Sequence, residues 1–423
     1  MMKVDSVYRE TAFEDTVIGR VPKDWRIANL VDVGKVVTGF GFPLDYQGKK
    51  SGKYPFVKVG DMNSTRKYVT SAHNFVDDDD LRLLKAEAFP PNTIIFPKIG
   101  MALYLNKFRM LKAWATFDNN VAGVIPKGAD PEFLFYYFVG RVDLRQLSGR
   151  TTAPSIRKST LESILVPFPS SLEQKKIADI LRMADEAIEQ TEQIIVNTER
   201  LKQGLMQQLL TKGIGHKEFK DSEIGRIPKE WNVVTIKTLG EVITGTTPST
   251  SEKSYWNGEV PFVTPTDFSE NNYVDETERK VTRKGAERGR LIPKDSVLVV
   301  CIGSTIGKIA LSFTKCITNQ QINAIVCRDG VNPHYVYYGL AQRKGMLRAQ
   351  AGITAKPIVN KSLFEKFTLP LPPSTSEQKK IGSILSTVAR KLELERNEKA
   401  KLERTKLALM DLLLTGKIRI KVD

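Results

Sequence analysis

At 423 residues, with 41% hydrophobic and 26% charged, the chain is too long for one hydrophobic core and ordinary enough to be globular, so two domains plus connecting elements is the natural division. No apolar run reaches the ~18 residues of a membrane-spanning helix, and the opening MMKVDSVYRETAFEDT holds no signal-peptide core, so a cytoplasmic protein with no membrane partner is expected. The net charge is +16, yet residues 171–212 carry −1 and residues 376–417 carry +4; the remaining +13 lies outside them and is the electrostatic footprint of a polyanion, most often nucleic acid.

The first half opens with IGRVPKDW at 18–25, and the short alternating runs Trp25 to Thr38, Tyr54 to Val59 and Thr93 to Pro97 predict strands. The carboxylate run Asp77 to Asp80 lacks the spaced ligands and glycine of a calcium loop and reads as a solvated turn. PEFLFYYF from Pro131 predicts a short helix with proline in its first turn, and LVPFP at 165 closes the half. From Ser170 to Gly213 apolar residues recur mostly three or four apart at Ile177, Leu181, Ala184, Ile188, Ile195, Thr198, Leu201, Leu205 and Leu209, the seam of a coiled coil. Ser171 with Gln174 reads as a capping box, and Lys212-Gly213 as a basic last turn with a left-handed stop. These signals bracket roughly 40 residues of helix, about 60 Å long. A helix of that length needs a partner for its seam.

The second half repeats the first. IGRIPKEW at 224–231 answers IGRVPKDW; TGTTPS at 244 answers TGFGFP at 38; VPFVTPTDF at 260 answers YPFVKVGDM at 54; PHYVYYGL at 333 answers PEFLFYYF. Strands are expected at Val297 to Ile302 and Gln321 to Val326, and a short helix at Pro333 to Ala341. A second proline-free stretch, Thr375 to Gly416, again pairs Thr375 with Gln378 as a capping box and places Ile381, Leu385, Val388, Leu392, Leu402, Leu409 and Leu412 on one face. Glu395 and Lys399 interrupt that seam and would set its register. The expectation is an α+β protein with a pseudo-twofold internal repeat: globular domains at 1–170 and 214–373, a long helix at 171–213, and a second long helix with a C-terminal tail at 374–423, the helices pairing as an antiparallel intramolecular coiled coil.

No catalytic constellation emerges. Gly303-Ser-Thr-Ile-Gly-Lys308 is a residue short of a phosphate loop, Gly39-Phe-Gly41 lacks the third glycine of a dinucleotide fingerprint, and no Asn/Asp-Pro-Pro-aromatic methyltransferase signature occurs. Glu218-Phe-Lys220 fits the tail of a nuclease motif but no plausible Pro-Asp partner precedes it. Cys301, Cys316 and Cys327 form no CxxC and read as buried thiols; His73, His216 and His334 are scattered. Neither a metal nor a cofactor is expected.

Tandem domains opening IGxxPxxW and alternating with SLEQKKIADIL and SEQKKIGSIL helices resemble the DNA-sequence specificity subunit of type I restriction-modification enzymes, over essentially the whole chain. The resemblance implies two target-recognition domains, each reading one half of an asymmetric bipartite site in double-stranded DNA, with the helices setting half-site spacing. It also implies two methyltransferase subunits, which bind S-adenosylmethionine, as partners and, through them, restriction subunits. The specificity subunit itself would do no chemistry. Helices of about 60 Å bound the half-site separation at roughly 18 base pairs. Residue chemistry and position near Gly-rich turns and before each helix nominate Lys98, Lys107, Arg109, Arg150, Thr151, Arg157 and Lys158 in the first domain. In the second they nominate Thr246, Lys308, Arg343, Arg348, Lys356 and Lys361. A coiled-coil scaffold without DNA binding, and a nuclease or methyltransferase with an unrecognised site, are the readings from other classes.

Overall fold

In the first half, the apolar strand Ile94–Pro97 is buried on both faces and becomes the centre of a five-stranded sheet. The sheet's order is Gly34–Thr38, Val121–Pro126, Ile94–Pro97, Arg109–Leu111, Tyr68–Val69; only the last pair is parallel. Successive side chains of a strand point to opposite faces, so alternate residues serve two cores. Ile94 and Phe96 join the core built on the helix Pro131–Arg141, while Ile95 joins a second core with Val57 and Phe117. That second core is backed by the three-stranded sheet Thr116–Phe117, Tyr54–Val57, Asn74–Val76. The other half repeats strand order and direction with Gly240–Thr244, Ile322–Cys327, Val297–Val300, Ile309–Ser312 and Tyr273–Val274. There Val297 and Val299 face the helix Pro333–Gln342, and Leu298 and Val300 the second core.

The computed structural model describes residues 7–63, 65–148, 154–269, 272–352 and 357–421. The chain divides into two units, residues 1–190 with 400–423, and residues 191–399. Each unit therefore holds one globular half and one end of each long helix, Ser171–Lys212 and Thr375–Leu414. In the first unit Ile177, Ala178 and Leu181 share a core with Met410, Leu413 and Leu414, and Lys406 pairs with Asp185 at 2.5 Å. In the second, Leu209 and Leu210 share a core with Ile381 and Leu385, while Lys399 reaches Glu192 at 3.1 Å and Arg396 reaches Glu199 at 2.6 Å. In both units one helix ascends in number as the other descends, so the pairing is antiparallel. Of the expected seam, Ile177, Leu181, Ile188, Leu209, Ile381, Leu385 and Leu392 are buried. Ile195, Leu205, Val388, Leu402 and Leu409 are half-buried, and Leu201 is exposed. Leu210, Met410 and Leu413 are buried instead, because the helix ends pack against globular domains as well as each other.

Three local expectations are corrected. The run from Trp25 to Thr38 is not one strand: Arg26–Asn29 and Gly34–Thr38 are separated by the short helix Leu30–Val33. Asp77 to Asp80 is not a plain turn; Asp77 and Asp80 form the capping box of the helix Asp78–Leu84, and Lys49, Lys53 and Arg82 pair with the run. Finally, the residues that cap the long helices are Ser170 and Ser374, whose hydroxyls accept the Glu173 and Glu377 amides at 3.3 and 3.4 Å. Gln174 and Gln378 are buried ties. Gln174 accepts from Asp130 N (2.9 Å) and donates to Pro169 O (2.8 Å); Gln378 accepts from Asn332 N (2.9 Å) and donates to Pro372 O (2.9 Å).

The helix stops are left-handed glycines, Gly213 at φ 65° and Gly416 at φ 69°. Added carbon would also strike Trp231 in one case and Pro22 in the other. After Gly416 the chain pairs Ile418–Ile420 with Val7–Arg9, so the last strand completes the first unit.

Candidate nucleic-acid interface

In each domain the central strand runs into a loop that clamps the segment leading to the next helix. Gly100 N donates to Pro154 O at 2.7 Å and Ile156 N to Lys98 O at 3.0 Å. In the second domain Gly303 N donates to Pro357 O at 3.0 Å and Val359 N to Cys301 O at 2.8 Å. The clamps align positions that the sequence leaves unpaired: Lys107 with Lys308 at the loop's far end, and Lys158 with Lys361 at the first turns of the helices Lys158–Glu162 and Lys361–Glu365. Lys158 and Lys361 each hold a glutamate four residues on, at 3.6 and 3.7 Å. Lys107 donates to Asn63, and Lys308 is exposed.

A third chain segment meets each loop. Gly39 and Gly245 lie so close to the backbone at Asp118 and Asn319 that a Cβ would sit 1.9 and 2.1 Å from their carbonyl oxygens, the physical reason for the repeated TG. The turns they brace carry Asn119 and Asn120 in one domain, Gln320 and Gln321 in the other. Asn and Gln are the side chains that read adenine edges, and sequence reasoning missed all four. Their signal was the repeated amide pair just before the strands Val121–Pro126 and Ile322–Cys327. Thr247 donates to Gln320 at 2.7 Å, and the nominated Thr246 accepts Arg290 N at 3.1 Å.

The remaining nominated residues separate by environment. Lys98 is half-buried beside Asp118; burial lowers the ammonium's pKa and Asp118 opposes that, while burial raises the Asp118 carboxyl. Arg109 sits partly buried at a strand start, its Nη1 donating to Phe108 O at 2.6 Å, and burial lowers its pKa. Arg343 donates to Ile224 O at 2.7 Å and ties its helix to the start of the domain. Arg348 is exposed and donates to Ser304 O at 2.9 Å, and Arg157 is exposed at the helix cap. Arg150, Thr151 and Lys356 lie outside the described residues. In the second unit a cleft of ≈ 1210 Å³ runs from Lys308 and Phe313 past Tyr273 to Arg390 on the second long helix.

Nothing among the described residues groups three metal-binding side chains, and no helix of the described chain is long and apolar enough to cross a membrane. Cys301 and Cys316 are buried, and burial pushes their thiols, with that of Cys327, up to about 12.

Comparison with known proteins brings these features together. The type I restriction modification DNA specificity domain matches twice, over residues 22–200 and 228–404. The chain is 26% identical over 453 residues to the type I restriction enzyme MjaVIII specificity subunit of Methanocaldococcus jannaschii, covering 100% of this chain and 99% of that one. Its fold is similar to the crystal structure of the type I restriction-modification S subunit from M. genitalium, at TM-score 0.62, 16% identity and 94% and 97% coverage. A second similar fold comes from a study of complex assembly and conformational transition in the type I system, at TM-score 0.55, 18% identity and 94% and 99% coverage.

Proposed function

This chain belongs to the type I restriction modification DNA specificity family, and from that premise we propose that each globular half reads one half of an asymmetric bipartite site in double-stranded DNA while the chain itself performs no chemistry. The observation that carries the reading is the matched pair of clamped loops. Each presents lysine at the same two positions, Lys107 with Lys158 and Lys308 with Lys361, suited to sequence-independent phosphate contact. The residues between those lysines differ: Asp118, Asn119 and Asn120 in one half answer to Asn319, Gln320 and Gln321 in the other, and just before the loops Lys98 answers to the buried Cys301. Equal anchors with unequal readers suit two unlike half-sites, in contrast to the palindrome of a homodimer.

Two methyltransferase subunits, and restriction subunits through them, supply catalysis in the cytoplasm, and the paired long helices set the half-site spacing. A coiled-coil scaffold would not require the +13 outside the helices.

The test is exchange of residues 224–370 for the equivalent half of a relative, with the methylated motif sequenced from cells that also carry the partner subunits. One half-site should change and the other stay. A change in both would refute modular reading, and DNA methylation or cleavage by the rigorously purified chain would refute the assignment of chemistry to partners.

A further inference from the structure

The loop between Gly100 and Lys107 presents a surface that anchoring and hydrogen-bond readout do not account for. Met101, Tyr104 and Leu105 are 74%, 46% and 58% exposed, three large apolar side chains on one turn, the 3-10 helix Met101–Leu105. The turn is rigidly mounted. Leu103 is fully buried in the main core, and the flanking Gly100 and Asn106 are left-handed, at φ 75° and 46°. Asn106 donates to Val142 O at 3.1 Å and accepts Leu144 N at 2.9 Å, while Gly100 N is held by Pro154 O at 2.7 Å. Exposed apolar groups on a fixed turn mark a contact surface.

Its surroundings indicate what covers it. Lys98 and Lys107 bound the turn in sequence, and the clamp ties Ile156, which leads into Arg157 and Lys158, to Lys98 at the loop's start. The core of a protein-protein interface is depleted in lysine, whereas apolar side chains between phosphate-binding cations are the arrangement by which Met and Leu enter a base step and part its stacking. The second domain supplies an internal control. Its loop from Gly303 to Lys308 is two residues shorter, Ile306 takes the buried place of Leu103, and the outward positions are Ser304 and Thr305.

We propose that Met101, Tyr104 and Leu105 form an apolar wedge that inserts at one base step of the half-site read by the first domain, and that the second half-site is bound without insertion. The inference rests on the proposed DNA-reading function. A pre-formed wedge also avoids much of the ordering cost of binding.

The probe is a duplex bearing the motif methylated in cells, with 2-aminopurine placed at successive positions of both half-sites, bound by the full chain in complex with its methyltransferase subunits. Besides the base methylated in each half-site, which a methyltransferase extrudes from the stack, fluorescence should rise at one further step, in the first half-site only. Met101→Ala/Leu105→Ala should abolish that rise and weaken binding roughly tenfold or more, with the salt dependence unchanged because no phosphate contact is lost. Replacing residues 101–106 with Ser-Thr-Ile-Gly should do the same. A tight complex with no rise beyond the methylated bases, a matching further rise in both half-sites, or wild-type affinity in the double variant would overturn the wedge and leave the reading of DNA intact. Loss of the methyltransferase subunits from the double variant on gel filtration would overturn it in favour of a protein contact. Failure of the wild-type complex to bind the motif over random duplex would overturn wedge and proposed function together.

Discussion

The two units close the same joint with different chemistry. Trp25 in one and Trp231 in the other donate their indole N–H to Glu173 (3.2 Å) and Glu377 (3.3 Å) at the start of a long helix. In the first unit the chain's last strand adds Arg419, buried and shared among Glu173, Glu10 and Asp24 at 2.6–2.8 Å. In the second the connection after Gly213 supplies His216, 2.9 Å from Glu377. The contrast extends along the helices. Tyr136 donates to Asp185, itself paired with Lys406, and Lys67 pairs with Glu132 at 2.9 Å. In the matching site of the second unit hydrogen bonds take the place of the ion pairs, with the Asp295 carboxylate beside Tyr273: His334 lies 3.1 Å from both Tyr273 and Ser386, and Tyr338 donates to Ser386. One backbone plan thus tolerates an ion-paired and a hydrogen-bonded solution.

The largest expected effect comes from cutting the two joints. Glu173→Ala strands part of a buried guanidinium and should cost about 3–5 kcal/mol, whereas Glu377→Ala leaves unpaired N–H groups and should cost about 1–3 kcal/mol. Urea unfolding with hydrogen exchange resolved by unit measures both; equal losses would erase the distinction. Ser170→Ala and Ser374→Ala should each cost about 1 kcal/mol in the same assay, equally, because the caps are alike. A marked inequality would mean that the joints do more than cap.

DNA binding tests the shared anchors. Lys107→Ala and Lys308→Ala, and likewise Lys158→Ala and Lys361→Ala, should weaken binding to all sequences and lower the salt slope by about 1 each. A loss confined to one target sequence would make that lysine a base reader. The smallest effect is on pH. Burial, opposed by Asp295, lowers the His334 pKa, so the folded state favours neutral imidazole and the second unit should lose stability as pH falls through about 6.5. Asp24 in the first unit is lowered chiefly by its hydrogen bond to Arg419, so that contribution is present above about 3.8 and is lost at lower pH. Unit-resolved exchange between pH 7 and 4 should show the second unit loosening first, and His334→Gln should flatten its profile. Loosening of the first unit ahead of the second would reverse the assignment.

Much of this was legible in the sequence. A 42-residue helix and a 40-residue helix announce themselves by apolar spacing, and their left-handed stops by glycine, after a basic last turn at Gly213 alone. Strand interiors such as Val297–Val300 are legible because burial on both faces demands an unbroken apolar run. The joints were not. Nothing in SLEQKK distinguishes a helix cap from a Glu that serves a tryptophan 148 residues away and a Gln that holds the turn before another helix. Ser171, the first residue inside the helix, therefore reads as its cap, although Ser170 holds that place.

What the sequence determined by itself was periodic and local: the repeat, the helices, the strand alternation and the excess charge, each carried by residues near one another in the chain. The tertiary structure decided which distant groups meet. It set Arg419 in the place His216 holds in the other unit, because a strand from the far end of the chain pairs with Val7–Arg9. It also aligned Lys107 with Lys308 across loops of unequal length, because a buried Leu103 or Ile306 pins each loop to its core and leaves only the outward residues free to differ.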